Sequence, residues 1–420
     1  MRDPERQNLY GNRFSVSFPD FPGMTRLPRV MTIHQKMGNH DMVELTYQAI
    51  SPFMVKSLKT GVPVKITYSN DKTTGVFLGH VLDVSYPVAQ TLERPLTLTC
   101  IASSFVMKDR ISKIWTNRTA PEIVTELGKM YGCNVITVPN KTRFSQQSMS
   151  GHSVWEKIHE LGNQIGHGVK VVGNDLYFLP IDKMIDTFVS TIPSLSFLDP
   201  FTNYYTNYNA PTLNKFEAKM GDFVQSDNVN RTTKVVSGVD PVTGKIYKST
   251  SSPHTVGKQV RQSITAPLFS TIETSTVVSS AQMAQDMADA KAHNARLAIP
   301  AKGDALGDPR ISPWSTVEIN GTGITSDGFW VVKSATHTIH YDGRYFTSFT
   351  CATDGTGLNK PSATRPSGAS LVPLRDLISP LTTAKTKPSS YKLSAPDIMV
   401  KQSSTGYNTL KRRWKSQNGR

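Results

Sequence analysis

A period of two runs through the first hundred residues and limits them to one kind of structure. Phe14, Val16 and Phe18 alternate along the chain, as do Val43, Leu45, Tyr47 and Ala49, then Val64, Ile66 and Tyr68, then Leu96, Leu98, Cys100 and Ala102. Successive side chains of a strand point to opposite faces, so each run describes a half-buried β-strand and not a helix. The links Met37-Gly38-Asn39, Ser69-Asn70-Asp71 and Thr74-Gly75 are short and polar or glycine-bearing, the chemistry of tight turns between antiparallel neighbours. Residues 1–107 are therefore expected to close into a small antiparallel barrel or sandwich.

A chain of 420 residues exceeds what one hydrophobic core usually serves, and its pattern changes along its length. Over residues 108–211 it becomes mixed. Thr119 and Glu122 form a capping box that opens a helix with Ile123, Val124, Leu127 and Met130 on one face and Gly132 as its stop. Ser153 and Glu156 repeat the device, with Trp155, Ile158, Leu161 and Ile165 on one stripe before Gly166 and Gly168. VKVV and LYFLP then flank Gly173-Asn174-Asp175, a hairpin signal. This span reads as a small inserted α+β domain.

From 212 to 355 strands return, interrupted by one helix opened by Ser279 and Gln282, in which Met283, Met287, Ala290, Asn294 and Leu297 stack at helical spacing. STVEI, FWVVKSATHTIHY and RYFTSFTCA read as strands, the last two joined by the turn signal Asp342-Gly343. LTLTCIAS ends the first sheet region and FTSFTCAT the second, which points to two copies of one barrel with the α+β segment between them. Residues 356–420 are rich in Ser, Thr, Pro, Lys and Arg and lack apolar periodicity. Such a stretch buries too little apolar surface to offset its ordering entropy and reads as an extended arm, with Leu371, Leu374, Leu377, Ile378 and Leu381 available to anchor it on a neighbour.

Composition narrows the function classes. Hydrophobic residues at 38% and charged residues at 19% suit a soluble β-rich chain whose strands show one face to water. The first residues carry charge and proline where a secretory signal needs an apolar run, and no later window is long and apolar enough to cross a bilayer, so cytoplasmic synthesis without a membrane anchor is expected. Cys100, Cys133 and Cys351 are too few and too widely spaced for a disulfide framework or a metal knuckle, and read as buried small hydrophobes. The net charge of +15 is concentrated: residues 356–420 hold twelve Lys/Arg against two Asp/Glu, ten of the fifteen excess charges. Such a tail suits an acidic neighbour, solvent or DNA.

No catalytic motif closes. His159-Glu160 begins a zinc-protease pattern, but the position four residues after His159 is Asn163 and His167 lies beyond the helix-ending glycine, so the pair reads as a surface His-Glu pair. His337 and His340 are three apart on a strand and face opposite ways. Ser150-Gly151-His152-Ser153 belongs to a helix cap, and Gly321-Thr322-Gly323 lies between two strands where a phosphate cradle needs a strand followed by a helix. Catalytic residues, metal ligands and cofactors are therefore all expected to be none. The run Lys411-Arg412-Arg413-Trp414-Lys415 joins cations to one aromatic; Arg412, Arg413 and Trp414 are the candidate partner-binding residues.

The order of elements carries a resemblance. GVPVKITYSN followed by GVFLGHVLDVSYP and PLTLTCIASS, then SVWEKIHELGNQIGHGVKVVGNDLYFLP, then ISPWSTVEINGTGITSDGFWVVKSATHTIHYDGRYFTSFTCATDG, resemble in turn the first tube domain, the inserted domain and the closing part of the second tube domain of phage tail or baseplate hub proteins, including the late-control D family and type VI secretion spike hubs. The likeness spans residues 1–355. It implies a mainly β fold with two similar tube-type β-barrels and an α+β insertion, and a structural, non-enzymatic virion component at the tail tip or baseplate. It further implies a homotrimer whose six barrels match a sixfold tail tube to a threefold spike or tail-tip protein, around a channel for a tape-measure protein and later DNA. Residues after 355 match neither a fused spike β-helix nor a lysozyme domain. The alternatives are a tail-associated cell-wall hydrolase and a DNA-contacting tail protein acting through the basic arm.

Overall fold

Each alternating run falls on a strand in the computed structural model, which describes residues 13–22, 24, 26–48, 56–70, 73–85, 95–188, 194–197, 219–225, 232–240, 243–251, 269–275, 278, 280–294, 297, 299–320 and 328–353. The first six are β1 (Arg13–Ser17), β2 (Val30–Lys36), β3 (Met42–Tyr47), β4 (Pro63–Ser69), β5 (Thr74–Ser85) and β6 (Leu96–Ala102). Val43, Leu45 and Tyr47 of β3 and Val64, Ile66 and Tyr68 of β4 are buried, as the period of two requires. Gly38, at φ 79°, turns β2 into β3 in a backbone region that glycine enters without steric cost. Ala49 and the arm from 356 onward lie outside the described residues.

Across the sheet these six strands run β1-β4-β5-β6-β3-β2. Further along the chain come β7 (Lys113–Thr119), β8 (Asn134–Thr137), β9 (Arg143–Met149), β10 (His167–Val172) and β11 (Asp175–Pro180), all within the insertion, then β12 (Ser194–Phe197), β13 (Lys219–Gln225), β14 (Thr232–Val239), β15 (Ile246–Ser251), β16 (Phe269–Ser275), β17 (Ile299–Leu306), β18 (Thr316–Asn320), β19 (Gly328–His340) and β20 (Tyr345–Thr353). Six of them close a ring, β12-β18-β19-β20-β17-β13 and back to β12. Numbered from its own first strand, that ring has the order 1-4-5-6-3-2, and so does the first sheet. Sense differs only at the first strand, since β1 is antiparallel to β4 while β12 is parallel to β18.

The copies agree in detail. Val81 pairs Cys100 and Asp83 pairs Thr99, leaving Leu82 bulged; Val332 pairs Cys351 and Ser334 pairs Thr350, leaving Lys333 bulged. Just before the bulge, Gly61 N–H donates to Val81 O and Val81 N–H to Val62 O, as Trp314 N–H donates to Val332 O and Val332 N–H to Ser315 O. A bulge re-aims a strand at one chosen residue, so the same bulge at the same Thr-Cys step marks one module used twice.

One strand joins the modules. β20 lines one edge of β19 from Val331 to Ile339, so β18 and β2 share the other edge: β18 takes Gly328–Val331 and β2 takes Ser334–His340. The first core, with Met31, Ile33, Leu45, Tyr47, Ile66 and Leu98, accordingly includes Ile339 and Tyr345 from the β19–β20 hairpin. The second core sets Trp330 and Phe349 among Ala301, Ala305, Val317, Ile319 and Ala335. Each fully buried large side chain contributes about 1.5–3 kcal/mol. The β17 sequence, IPAKGDAL, was not expected as a strand: its buried alternate residues are Ile299, Ala301, Gly303 and Ala305, three of them too small to register as apolar alternation.

The insertion holds α1 (Ala120–Met130), α2 (Val154–Ile165) and α3 (Ile181–Thr187). Both capping boxes form: Glu122 N–H donates to Thr119 Oγ1 at 3.4 Å and Glu156 N–H to Ser153 Oγ at 3.2 Å, with each glutamate carboxylate accepting from its cap's N–H. Gly166, left-handed at φ 72°, ends α2. β10 and β11 form the expected hairpin, with β8 parallel to β11. Three expectations need correction. The helix read as part of the second barrel, α4 (Ala281–Asn294), and the β15-β14-β16 sheet beside it pack on the insertion: Met283, Met287 and Val236 share one core with Ile123, Leu127, Ile158 and Leu161. An apolar helix stripe needs an apolar partner, and the barrel's outer strand faces are polar. The cap expected of Ser279 falls to Ser280, whose Oγ accepts from Met283 N–H at 3.1 Å; Ser279 lies outside the described residues. β12, inside the span 108–211, pairs in the large sheet.

Candidate assembly surface

The shared strand fuses the two modules into one sheet face. Following the pairings from β6 through β3, β2, β19 and β20 to β17, the residues turned away from the cores form rows: Thr99, Glu44, Thr32, Thr338, Phe346 and Leu306 in one, His34, Thr336, Ser348 and Asp304 in the next, Lys36, Ser334, Thr350 and Lys302 in a third. Nine side chains of this face are threonine or serine when Thr46 and Thr97 are added, and its charges balance, Glu44 and Asp304 against Lys36 and Lys302. Ser334 and Thr350 hydroxyls meet at 2.6 Å and Thr336 Oγ1 reaches His34 Nδ1 at 3.4 Å. β-Branched threonine suits a strand and its hydroxyl suits water, so the face is hydrated without being sticky. Phe346 and Tyr341 are its exposed aromatics, at the hairpin end.

Behind the face, a buried polar seam ties the modules. His337 Nδ1 lies 2.9 Å from both Thr347 Oγ1 and Tyr345 Oη, and Tyr68 of the first module packs on both rings. Burial pushes the His337 pKa down to about 3, partly countered by the Ile311 backbone. Asn70 Nδ2 donates to Gly307 O at 3.3 Å and Thr73 Oγ1 to Asp308 Oδ1 at 3.4 Å, while Arg310 holds Asp308 through Nε at 3.0 Å and Nη2 at 2.6 Å. Gly307 is required by packing: a Cβ there would stand 1.9 Å from Tyr345 Cγ.

A second seam seats the insertion on the sheet. Trp155 of α2 donates Nε1–H to Gly38 O at 3.0 Å and lies between His40 and His159, with ring centroids at 4.4 and 4.6 Å. Burial holds both histidines down at about 4; Lys108 and His159 add to the effect on His40. Lys170 donates to Pro313 O at 2.8 Å and covers Phe188; burial lowers its pKa to about 8 against the pull of Asp41. Asp41 accepts from Gln35 at 2.8 Å, and burial raises it to about 6.

The sequence candidates fall as follows. His159 is not the surface residue expected: it turns into the seam against Trp155, because the stripe that buries Trp155 also carries the residue one turn later. Glu160 accepts from Lys157 at 3.0 Å and Gln164 at 3.1 Å. His337 is buried and His340 partly exposed, on opposite faces as read. Arg412, Arg413 and Trp414, with Lys411 and Lys415, and Gly321-Thr322-Gly323 lie outside the described residues. A cleft of about 880 Å³ between the β8–β9 loop and α4 sets Lys141 and Arg143 against Asp286 and Asp289, with Thr142 Oγ1 donating to Asp286 at 2.6 Å. Among the described residues no group of three or more His, Cys, Asp or Glu is placed to hold a metal, and no helix is long and apolar enough to cross a membrane. The shared-strand face was missed in the sequence; its signal was the run of hydroxyls on alternate positions of FWVVKSATHTIHY and RYFTSFTCA.

No family model matches the sequence, and no curated protein matches it by sequence. Solved structures do match the architecture. The tail protein from Neisseria meningitidis superposes with a TM-score of 0.58 at 12% identity, over 83% of this chain and 98% of that one. The fold is that of phage tail proteins. The 43 kDa tail protein of prophage MuSo2 from Shewanella oneidensis gives 0.57 at 13%, over 82% and 99%. A component of the E. coli type VI secretion system, itself structurally similar to T4 bacteriophage tail proteins, gives 0.51 at 10%, over 84% and 80%. The tail-protein fold thus extends over both barrel modules and the insertion, and the mainly β class with two similar barrels holds.

Proposed function

We propose that this chain is a structural, non-enzymatic component of a phage-type tail tip or baseplate, a hub in which three copies arrange six barrel modules between a sixfold tail tube and a threefold spike or tail-tip protein. The observation that carries the proposal is the duplicated module, with one strand order and one bulge used twice in a chain. Two equivalent modules per chain let a threefold ring meet a sixfold one. The hydroxyl-rich sheet face then lines the channel. Rows of cations would retain phosphates and an apolar wall would retain unfolded chain, whereas short hydroxyls with balanced charge let a tape-measure protein and then DNA pass. The test is native mass spectrometry of the full chain with electron microscopy of the assembled particle: a closed three-chain ring at the end of the tube is expected, and a lone chain in the particle would overturn it.

A second reading, favoured by the twelve cations against two acids after residue 355, gives the arm with Arg412, Arg413 and Trp414 a docking role on a partner or on DNA. DNA binding that falls steeply with salt and disappears on truncation at Thr356 would support DNA as that partner.

A further inference from the structure

Each module approaches its bulge through a turn, and the two turns are equivalent. Val62 N–H donates to Lys59 O at 3.2 Å and Ser315 N–H to Ser312 O at 2.9 Å; Leu58 and Ile311, one residue earlier, are both buried. The third residue of each turn has positive φ, 88° at Gly61 and 74° at Trp314. Pro313 fixes the second residue of the later turn at negative φ, so that turn is of type II, which calls for glycine at its third position. The first module supplies the glycine. The second places a tryptophan there, a bulky residue in a region that such side chains keep only when the surroundings hold them.

The hold comes from the insertion. Gly168 and Lys170 are two apart on β10 and share a face. The Trp314 indole lies on Gly168, where a Cβ would stand 2.8 Å from Cζ2, and is buried among Tyr177, Leu179, Ile181 and Met184. Lys170 Nζ donates to Pro313 O at 2.8 Å and to Ser312 Oγ at 3.3 Å. Type I and type II turns differ by rotation of the central peptide, here the one between Pro313 and Trp314. Lys170 grips its carbonyl, and its N–H donates to Val332 O at 3.0 Å, so one rotation breaks both bonds. Val332 stands where β19 passes from β18 to β2. We propose that the Ser312–Ser315 turn is a latch between the insertion and the shared strand. With the insertion seated, the 313–314 peptide is kept in its type II orientation; when the insertion lifts, that peptide rotates, relieving Trp314 and releasing Val332. Movement of the insertion is thereby transmitted to the strand that joins the two modules, whereas Gly61 keeps the equivalent turn of the first module without help.

The experiment follows amide hydrogen exchange in the full chain. Lys170→Met is expected to speed exchange at Trp314 and Val332 by on the order of tenfold, the size of a left-handed backbone penalty, while β3 amides stay as slow as in wild type. Trp314→Gly is expected to leave Val332 protected and to speed exchange in α3 instead, because α3 loses the indole that packs on Ile181 and Met184. Adding Lys170→Met to Trp314→Gly should then change nothing at Val332. Trp314→Asn, which tolerates the left-handed region, takes the place of the glycine variant should that one fail to fold. Equal acceleration of Val332 by Lys170→Met in the wild-type and Trp314→Gly backgrounds, or none in either, overturns the latch.

Discussion

Among the described residues the strands of the second module pair into a closed ring and those of the first do not, although both follow one strand order and carry one bulge. One difference beyond the sense of the first strand sits in the third strand. Val43 pairs Cys100 where Ala301 pairs Cys351, so Val43, Leu45 and Tyr47 of β3 stand where β17 has Ala301, Gly303 and Ala305. A six-stranded ring encloses little space, and the tiny residues of β17 allow Trp330 and Phe349 to fill it. In the first module β3 is bulkier, the outer edge of β2 is taken by β19, and Ile339 and Tyr345 of the shared hairpin complete the core. Closure thus goes with the parallel first strand β12, which meets β13, and with the small residues of β17 that leave room inside the ring.

The strongest way to break this comparison is to empty the closed ring. Trp330→Ala is expected to cost about 3–5 kcal/mol, and because β19 serves both modules it should raise amide exchange in β2 and β3 as well as in β17. Leu98→Ala, about 2–5 kcal/mol, should loosen the first module and leave β17 protected. Unchanged protection of β2 in the tryptophan variant would mean the shared strand does not couple the modules.

Acid probes the same hairpin. The folded His337 ring takes its proton only near pH 3 and the unfolded ring at its ordinary 6.5, so the unfolded chain binds the extra proton in between. Stability is present above pH 6.5 and falls as pH drops toward 3, by on the order of a few kcal/mol. His40 and His159 act in the same direction, and Asp41, raised to about 6, acts against them. His337→Gln should lower Tm at pH 7 yet flatten its fall between pH 6.5 and 4; a slope equal to wild type would clear His337 of the effect.

Smaller effects sharpen the picture. Ala301→Val adds apolar surface and a β-favouring residue but should still cost about 1–3 kcal/mol by crowding the closed ring; a rise in Tm would show that the ring is not limited by space. Trp155→Phe keeps the ring packing and loses the bond to Gly38 O, worth about 1 kcal/mol, so increased exchange should be confined to the β2–β3 turn and α2.

Much of the fold was legible where chemistry is local. Thr119, Glu122, Ser153 and Glu156 make their caps with neighbours three residues away, and Asp342-Gly343 turns β19 into β20. The Thr-Cys repeat pointed to duplication, and Cys100 and Cys351 occupy equivalent bulge sites. The partners of long-range pairs were not legible. Met283 and Met287 announced a buried stripe but not which core received it, and His159 looked exposed because Trp155 and Gly38 are 117 residues apart. β17 was missed because alanine and glycine alternation is silent in sequence while burial decides it.

The sequence by itself determined that this chain would be built of half-buried strands, two capped helices in an insertion and a repeated strand ending, because each of these depends on residues within a few positions of one another. Only the tertiary structure decided that one thirteen-residue strand would serve two barrels, that one barrel would close and the other remain open, and that a hydroxyl-lined face would run across both. Those outcomes depend on the space left between distant strands, which no local pattern records.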